Sequence, residues 1–217
     1  MGATTEGTGR ADRRRTTAVL FAVGAVILVL TALLARRGVY GWESGVFGAV
    51  NGLPDPLRPV LWVPNQYGVF VTIPVLALIA VAFRRYRLAI ALAVSGVGVY
   101  LLAKVMKEFV GRGRPGALLD AVQGRETFAP GSLGFPSGHA AVAAALTVIV
   151  ALSMSRPWVI AAVVLAIVVP LSRMYVAAHL PLDLLGGAAL GVVAASAVCL
   201  VMGSFGWAPE KVAAAPP

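Results

Sequence analysis

The chain has two histidines, His139 and His179, and each stands among residues that could share its chemistry. Asp183 follows His179 by four positions, and Arg173 precedes it by six. Ser137 and Gly138 come directly before His139, behind Pro136. Lys107, Arg112 and Arg114 cluster in the stretch KEFVGRGRP. Two imidazoles, a carboxylate and several cations are the parts that phosphoryl transfer needs. Guanidinium forks and an ammonium spread over the equatorial oxygens and neutralise developing charge. One imidazole attacks phosphorus in line, and the other, protonated, donates to the leaving oxygen. A carboxylate on one nitrogen of the attacking ring fixes its tautomer and leaves the other nitrogen free.

Local rules say how such groups would be held. Pro136 disfavours helix upstream and Ser137 is a favoured N-cap, so a helix begins at Gly138 and His139. Its free N–H groups attract anions, phosphate above all, and Gly138 lets an oxyanion come close to the backbone. Pro181 suits a first helical turn, so the last helix starts near Leu180 and turns Asp183 back toward His179. An acid there also serves the helix N-terminus, and the two readings are compatible. A lone histidine is as readily a hydrogen-bonded structural residue. Two, at the mouths of apolar segments and with polar neighbours, point to function.

The elements that must carry these residues follow from composition. Of 217 residues, 59% are hydrophobic and 12% charged, and the mean hydropathy is +0.87. Soluble domains carry about 25% charged and about 45–50% apolar residues. Those numbers exclude a soluble single-core enzyme, and so high a hydropathy excludes a disordered chain. They imply an all-α, six-transmembrane-helix bundle, since a span needs about 20 apolar residues. The candidate spans are 17–35, 62–83, 88–105, 139–154, 158–175 and 182–202, the fourth being short unless the polar residues before it are helical. Residues 1–16 read as a basic disordered tail, 17–203 as one membrane domain and 204–217 as a second tail. The first segment is long for a signal peptide and lacks a good cleavage site, so it reads as a retained anchor. Cys199 is the one cysteine, so no disulfide forms within the chain and no thiolate metal site is built.

With six spans both termini share one side, and the loops bearing the two histidines share the other. The 18 Lys and Arg residues divide evenly between the sides. On the terminal side the charge is packed into the head and short hairpins around Arg84, Arg85, Arg87 and Arg156, where the positive-inside rule has most force. This predicts cytoplasmic termini and an extracytoplasmic site. The net charge of +9 suits basic loops beside anionic lipid and an anionic substrate, with no role for nucleic acid. Gly187 and Gly191 form a GxxxG, read as close packing within the bundle.

These residues resemble the type 2 phosphatidic acid phosphatase superfamily. Its pattern is K-x6-RP, then PSGH, then SR-x5-H-x3-D. Here it stands as Lys107 with Arg114-Pro115, then Pro136-Ser137-Gly138-His139, then Ser172-Arg173 with His179 and Asp183. The resemblance implies that His179 is the nucleophile and forms a phosphohistidine, that Asp183 orients it, and that His139 protonates the leaving group and then activates water. It implies phosphate binding by Lys107, Arg114, Ser137, Gly138 and Arg173, and no metal or other cofactor. Asp183 is the one acid at a motif position, which agrees with that absence. Arg112 lies outside the motif positions and is assigned to loop support or to a lipid headgroup. The family implies a lipid phosphate or diphosphate substrate, without choosing the headgroup; the oligomeric state is not readable. The competing reading is a non-catalytic anion or lipid-phosphate transporter or binding protein with the same basic pocket. Pure binding, however, needs neither a nucleophile nor a proton donor.

Overall fold

A mostly apolar chain in lipid must satisfy its own backbone, and helices do so segment by segment. The computed structural model describes residues 3–202, with side chains from residue 11 onward; the tail expected over 204–217 lies outside the described residues. Among these residues every regular element is helical and no strand forms. The helices are α1 (Ala3–Ala35), α2 (Gly41–Asn51), α3 (Arg58–Asn65), α4 (Thr72–Ala82), α5 (Tyr86–Val110), α6 (Pro115–Leu118), α7 (Gly138–Ser153), α8 (Arg156–Tyr175) and α9 (Pro181–Val201).

Among the described residues four helices are long and apolar enough to cross a membrane: the Ala11–Ala35 part of α1, α5, α8 and α9. They make the chain a multi-pass membrane protein. The two other expected spans take different forms. The stretch 62–83 is broken, with the segment Asp55–Gly68 bent by 60° from α4. Pro64 withdraws an N–H there, and a short 3-10 turn at Gln66–Gly68 follows. Gly68 permits the bend's close approach, because a Cβ on it would sit 2.8 Å from the His139 carbonyl oxygen. The fourth segment, α7, has 16 residues. That is about 24 Å of helix, against about 30 Å of hydrocarbon, and the residues before Ser137 do not extend it. At the other extreme, α1 continues back through the basic head to Ala3, where the sequence predicts a disordered tail. Nothing between head and span stops propagation, and the Thr16 and Thr17 hydroxyls donate back to the Asp12 and Arg13 carbonyls.

The core forms where α9 lies along α1 on one side and α7 on the other, with α5 alongside. Small residues make this possible. A Cβ on Gly187 would collide with the Ser137 carbonyl, and one on Gly191 with that of Ala141. The GxxxG therefore packs α9 on α7 inside the bundle, as expected. Leu190, Ala194 and Ala195 interdigitate there with Ala141, Ala145 and Leu146. Outward-facing Val19, Val26, Leu78, Val97 and Ile167 stay exposed, an apolar surface suited to lipid.

The two ends of the bundle differ. At one, the α4–α5 and α7–α8 hairpins meet, with Arg85 Nη1 3.9 Å from Met154 Sδ. At the other, the ends of α5 and α8 and the starts of α7 and α9 come together. Loops 36–57 and 111–137 fold over that end. Arg125 fastens them by donating to the carbonyls of Asn51, Leu53 and Tyr175, with its guanidinium 4.1 Å over the Tyr175 ring. The loops carrying the two histidines thus share an end of the bundle.

Candidate active site

Four helix termini build the site. Gly111, in the left-handed region at φ 64°, ends α5 and returns its N–H to the Lys107 carbonyl. Lys107 is thereby left in the last turn of α5, and Arg112 and Arg114 stand just beyond it. Ser137 caps α7, its Oγ accepting the Ala140 N–H at 3.4 Å. Gly138 and His139 are then the first residues of α7, whose N–H groups have no intrahelical acceptor. A Cβ added to Gly138 would meet nothing within 4 Å, so an anion has room to approach. Arg173 lies in the last turn of α8. Ala177, at φ 63°, turns the chain so that His179 precedes α9, whose N-cap is Leu180. The Ser137 N–H donates to the Asp183 carbonyl at 2.9 Å, locking the starts of α7 and α9 together.

His179 is buried, with Nδ1 3.8 Å from Asp183 Oδ2 and no hydrogen-bond partner for that nitrogen. The carboxylate does face back to the imidazole, at a separation longer than a hydrogen bond. The same Oδ2 accepts the Leu180 N–H at 2.9 Å, so Asp183 also serves its own helix start. Burial pushes the His179 imidazole down to about 4, with Arg114 and Arg173 adding to the effect and Asp183 opposing it. The ring is therefore neutral at pH 7, the state a nucleophile needs. His139 lies within electrostatic reach of Arg173, His179 and Arg114.

The three expected phosphate-binding cations converge, and one loop engages each of them. Lys107 Nζ donates to the Leu133 carbonyl at 2.9 Å. Arg114 donates to Ser132 Oγ at 2.9 Å and to the Ala178 carbonyl at 2.8 Å, with Phe128 4.1 Å from its guanidinium. Arg173 holds Glu126 through both terminal nitrogens, at 3.0 and 2.9 Å, while its buried Nε has no partner. A cleft of about 490 Å3 opens beside Arg114, lined also by Glu126, Phe128, Ser132 and Leu133.

Arg112 goes elsewhere. It is 5% exposed, which overturns its assignment to a lipid headgroup. It donates to Asp183 Oδ1 at 3.1 Å, to Glu43 at 3.1 and 2.7 Å, and to the Gly38 carbonyl at 3.0 Å. Burial opposes its charge, but the bonds and charges of Glu43 and Asp183 outweigh that and hold its pKa above the usual guanidinium value. Glu43, fully buried on α2, also accepts the Leu182 N–H at 3.1 Å. Sequence reasoning missed Glu43 and Glu126. The signal for Glu43 was its place three residues after Tyr40, where an acid reaches back to a helix's first N–H; that bond forms, at 3.3 Å.

The profile of the PAP2 superfamily matches residues 86–207. An undecaprenyl-diphosphatase of Sulfolobus acidocaldarius is 32% identical over 175 residues, which cover 80% of this chain and 84% of that protein. A lipid A 1-phosphatase of Rhizobium johnstonii is 36% identical over 115 residues, 46% of each chain. Among solved structures, Aquifex aeolicus LpxE superposes with a TM-score of 0.67 at 20% identity, over 73% of this chain and 95% of its own. A transmembrane PAP2-type phosphatidylglycerolphosphate phosphatase from Bacillus subtilis gives 0.65 at 25% identity, over 81% and 93%.

Proposed function

Because the chain belongs to the PAP2 superfamily and is a membrane phosphatase of that family, we propose that it hydrolyses a lipid phosphate monoester or diphosphate through a phosphohistidine. The observation that carries this reading is the convergence of His139, His179 and three cations at one end of the bundle. The cations hold only groups of a single loop and one turn carbonyl, all of which a phosphoryl group could replace.

In this reading Lys107, Arg114 and Arg173 bind the phosphoryl oxygens, with the N–H groups at the start of α7. Ser137 and Gly138 shape that helix start. Nδ1 of His179 faces Asp183, so Nε2 attacks phosphorus. The P–N bond forms as the bond to the leaving oxygen breaks, and His139 gives that oxygen a proton. Water then attacks the phosphohistidine, losing its proton to His139, and inorganic phosphate and neutral His179 are restored. Asp183 stabilises the positive charge that His179 gains in the first step. The residues require no metal for this, because the cations supply the charge.

The bent α3–α4 pair and the short α7 complete six crossings in this reading, beside the four long helices. The dense cationic hairpins put both termini in the cytoplasm and the site at the extracytoplasmic face. A lipid tail lying in the bilayer raises its phosphate toward the converging cations, each buried CH2 adding about 0.8 kcal/mol to binding.

The test is phosphate release from detergent-solubilised protein, with EDTA present, on phosphatidic acid, phosphatidylglycerol phosphate and a polyprenyl diphosphate. Wild type should release phosphate from at least one, and His139→Ala and His179→Ala from none. Binding of these lipids without release would favour a transporter or binding protein. Loss of activity in EDTA would contradict a mechanism that needs no metal.

A further inference from the structure

Among the described residues, the densest buried charge lies behind the reacting groups. Asp183 touches the guanidinium of Arg112, and Arg112 holds a second carboxylate, Glu43, by two bonds. Both acids are fully buried. Burying ions is costly, and apolar residues of similar shape commonly pack at least as well. A cluster of three that only joined helices would be a poor way to join them.

Its bonds concentrate on one place. Glu43 accepts the Leu182 N–H, Asp183 accepts the Leu180 N–H, and Arg112 lies between the two carboxylates. The first turn of α2 is thereby tied to the first turn of α9, just ahead of Asp183. Arg112 does this while leaving its buried Nε without a partner.

The charges matter as well as the bonds. Asp183 helps His179 only as far as its negative charge is felt there. Arg112 alone would cancel that charge at hydrogen-bond distance. Glu43 cancels Arg112 instead, so the three groups together carry one negative charge. The other ionisable groups facing His179 are Arg114 from the loop after α5, Arg173 from α8 and His139 from α7. All are cationic when charged. The net charge of the cluster is then what offsets them when His179 becomes positive on attack.

We propose that Glu43 and Arg112 are positioning residues: Arg112 fixes the Asp183 carboxylate toward His179, and Glu43 supplies the counter-charge that leaves Asp183 its pull. This deepens the reading of His179 as the nucleophile and rests on it.

The experiment compares wild type, Glu43→Gln, Arg112→Met and the double variant. It measures turnover of a polyprenyl diphosphate in detergent, and the His179 imidazole titration by 15N NMR. Glu43→Gln keeps the shape and removes the counter-charge. It should lower kcat by about 10–100-fold with KM little changed, as loss of an outer partner that orients a reacting group does. It should also move the His179 midpoint to lower pH. The double variant removes both opposite charges, so it should restore the midpoint relative to Glu43→Gln, while kcat stays low because Arg112 no longer holds Asp183. Arg112→Met alone should lower kcat and raise the midpoint. A double-variant midpoint no higher than that of Glu43→Gln, or an unchanged kcat in Arg112→Met, would overturn the proposal. Unchanged kcat and midpoint in Glu43→Gln would overturn it too. Should Glu43→Gln fail to fold, Glu43→Asp keeps the charge on a shorter stem. Its midpoint should then stay at the wild-type value, and a downward shift would count against the proposal. The titration needs no turnover, so it separates failure here from failure of the phosphatase reading, which His179→Ala tests in parallel.

Discussion

Two sets of charge, one buried and one partly buried, lie at the same end of this bundle, and they are satisfied in opposite ways. In the inner set, Glu43, Arg112 and Asp183 bond to one another and to helix-terminal backbone, away from solvent. In the outer set, Lys107, Arg114 and Arg173 form no ion pair with a helix carboxylate among the described residues. They are met by Leu133, Ser132, Phe128 and half-exposed Glu126 from one loop beside an open cleft, and by the Ala178 carbonyl. Inner partners are permanent, because their loss strands an ion. Outer partners are exchangeable, because a phosphoryl group offers the same cations better acceptors. A site that must bind and release an anion needs both kinds: cations that can be vacated, and a frame that holds when they are.

That contrast can be broken by substitution. Asp183→Asn strikes the inner set where it faces His179. It keeps an oxygen for the Leu180 N–H but loses the charge facing His179, and kcat should fall by about 10^3–10^4-fold, as in other nucleophile–carboxylate pairs. Next in size, Arg112→Ala strands Glu43 and Asp183 in the interior. Denaturation in detergent should show a loss of about 3–5 kcal/mol. A mild loss would mean that the inner set relaxes or admits water. Arg173→Lys keeps the outer charge but loses the planar fork, and kcat/KM should drop by about 10^2-fold. Wild-type-like turnover would show that charge alone suffices there. The smallest effect belongs to Glu126→Gln. It frees Arg173 from an acid that competes with the substrate, so KM should fall a few-fold, while stability changes by less than about 1 kcal/mol, as for a partly exposed pair. A rise in KM would instead make Glu126 a partner of the substrate.

Much of the outer set was legible in the sequence. Proline, serine and glycine at fixed places announced the start of α7, and Pro181 announced that of α9; both helices begin there. Spacing along the chain then brought the histidines, cations and Asp183 to one end. The inner set was not legible, because Glu43 and Arg112 are 69 positions apart and meet only after α1, α2 and α5 have packed. Arg112 and Arg114 are alike in sequence, and only tertiary packing sends one inward and the other to the cleft. Hydropathy likewise could not reveal the 60° bend that splits 62–83, since a proline-broken pair of apolar helices has the composition of a single span. The reach of α1 into the basic head was hidden for a related reason: charge argues for solvent, and solvent is compatible with helix.

The central claim is that His179 takes up the phosphoryl group. Its most direct test is rapid quenching of wild-type protein during turnover of a 32P-labelled lipid phosphate, followed by mapping of the label. Label that survives alkali, is lost in acid and maps to His179 is the predicted result, with none trapped on His179→Ala. Label on another residue, or undiminished labelling of His179→Ala, would contradict it.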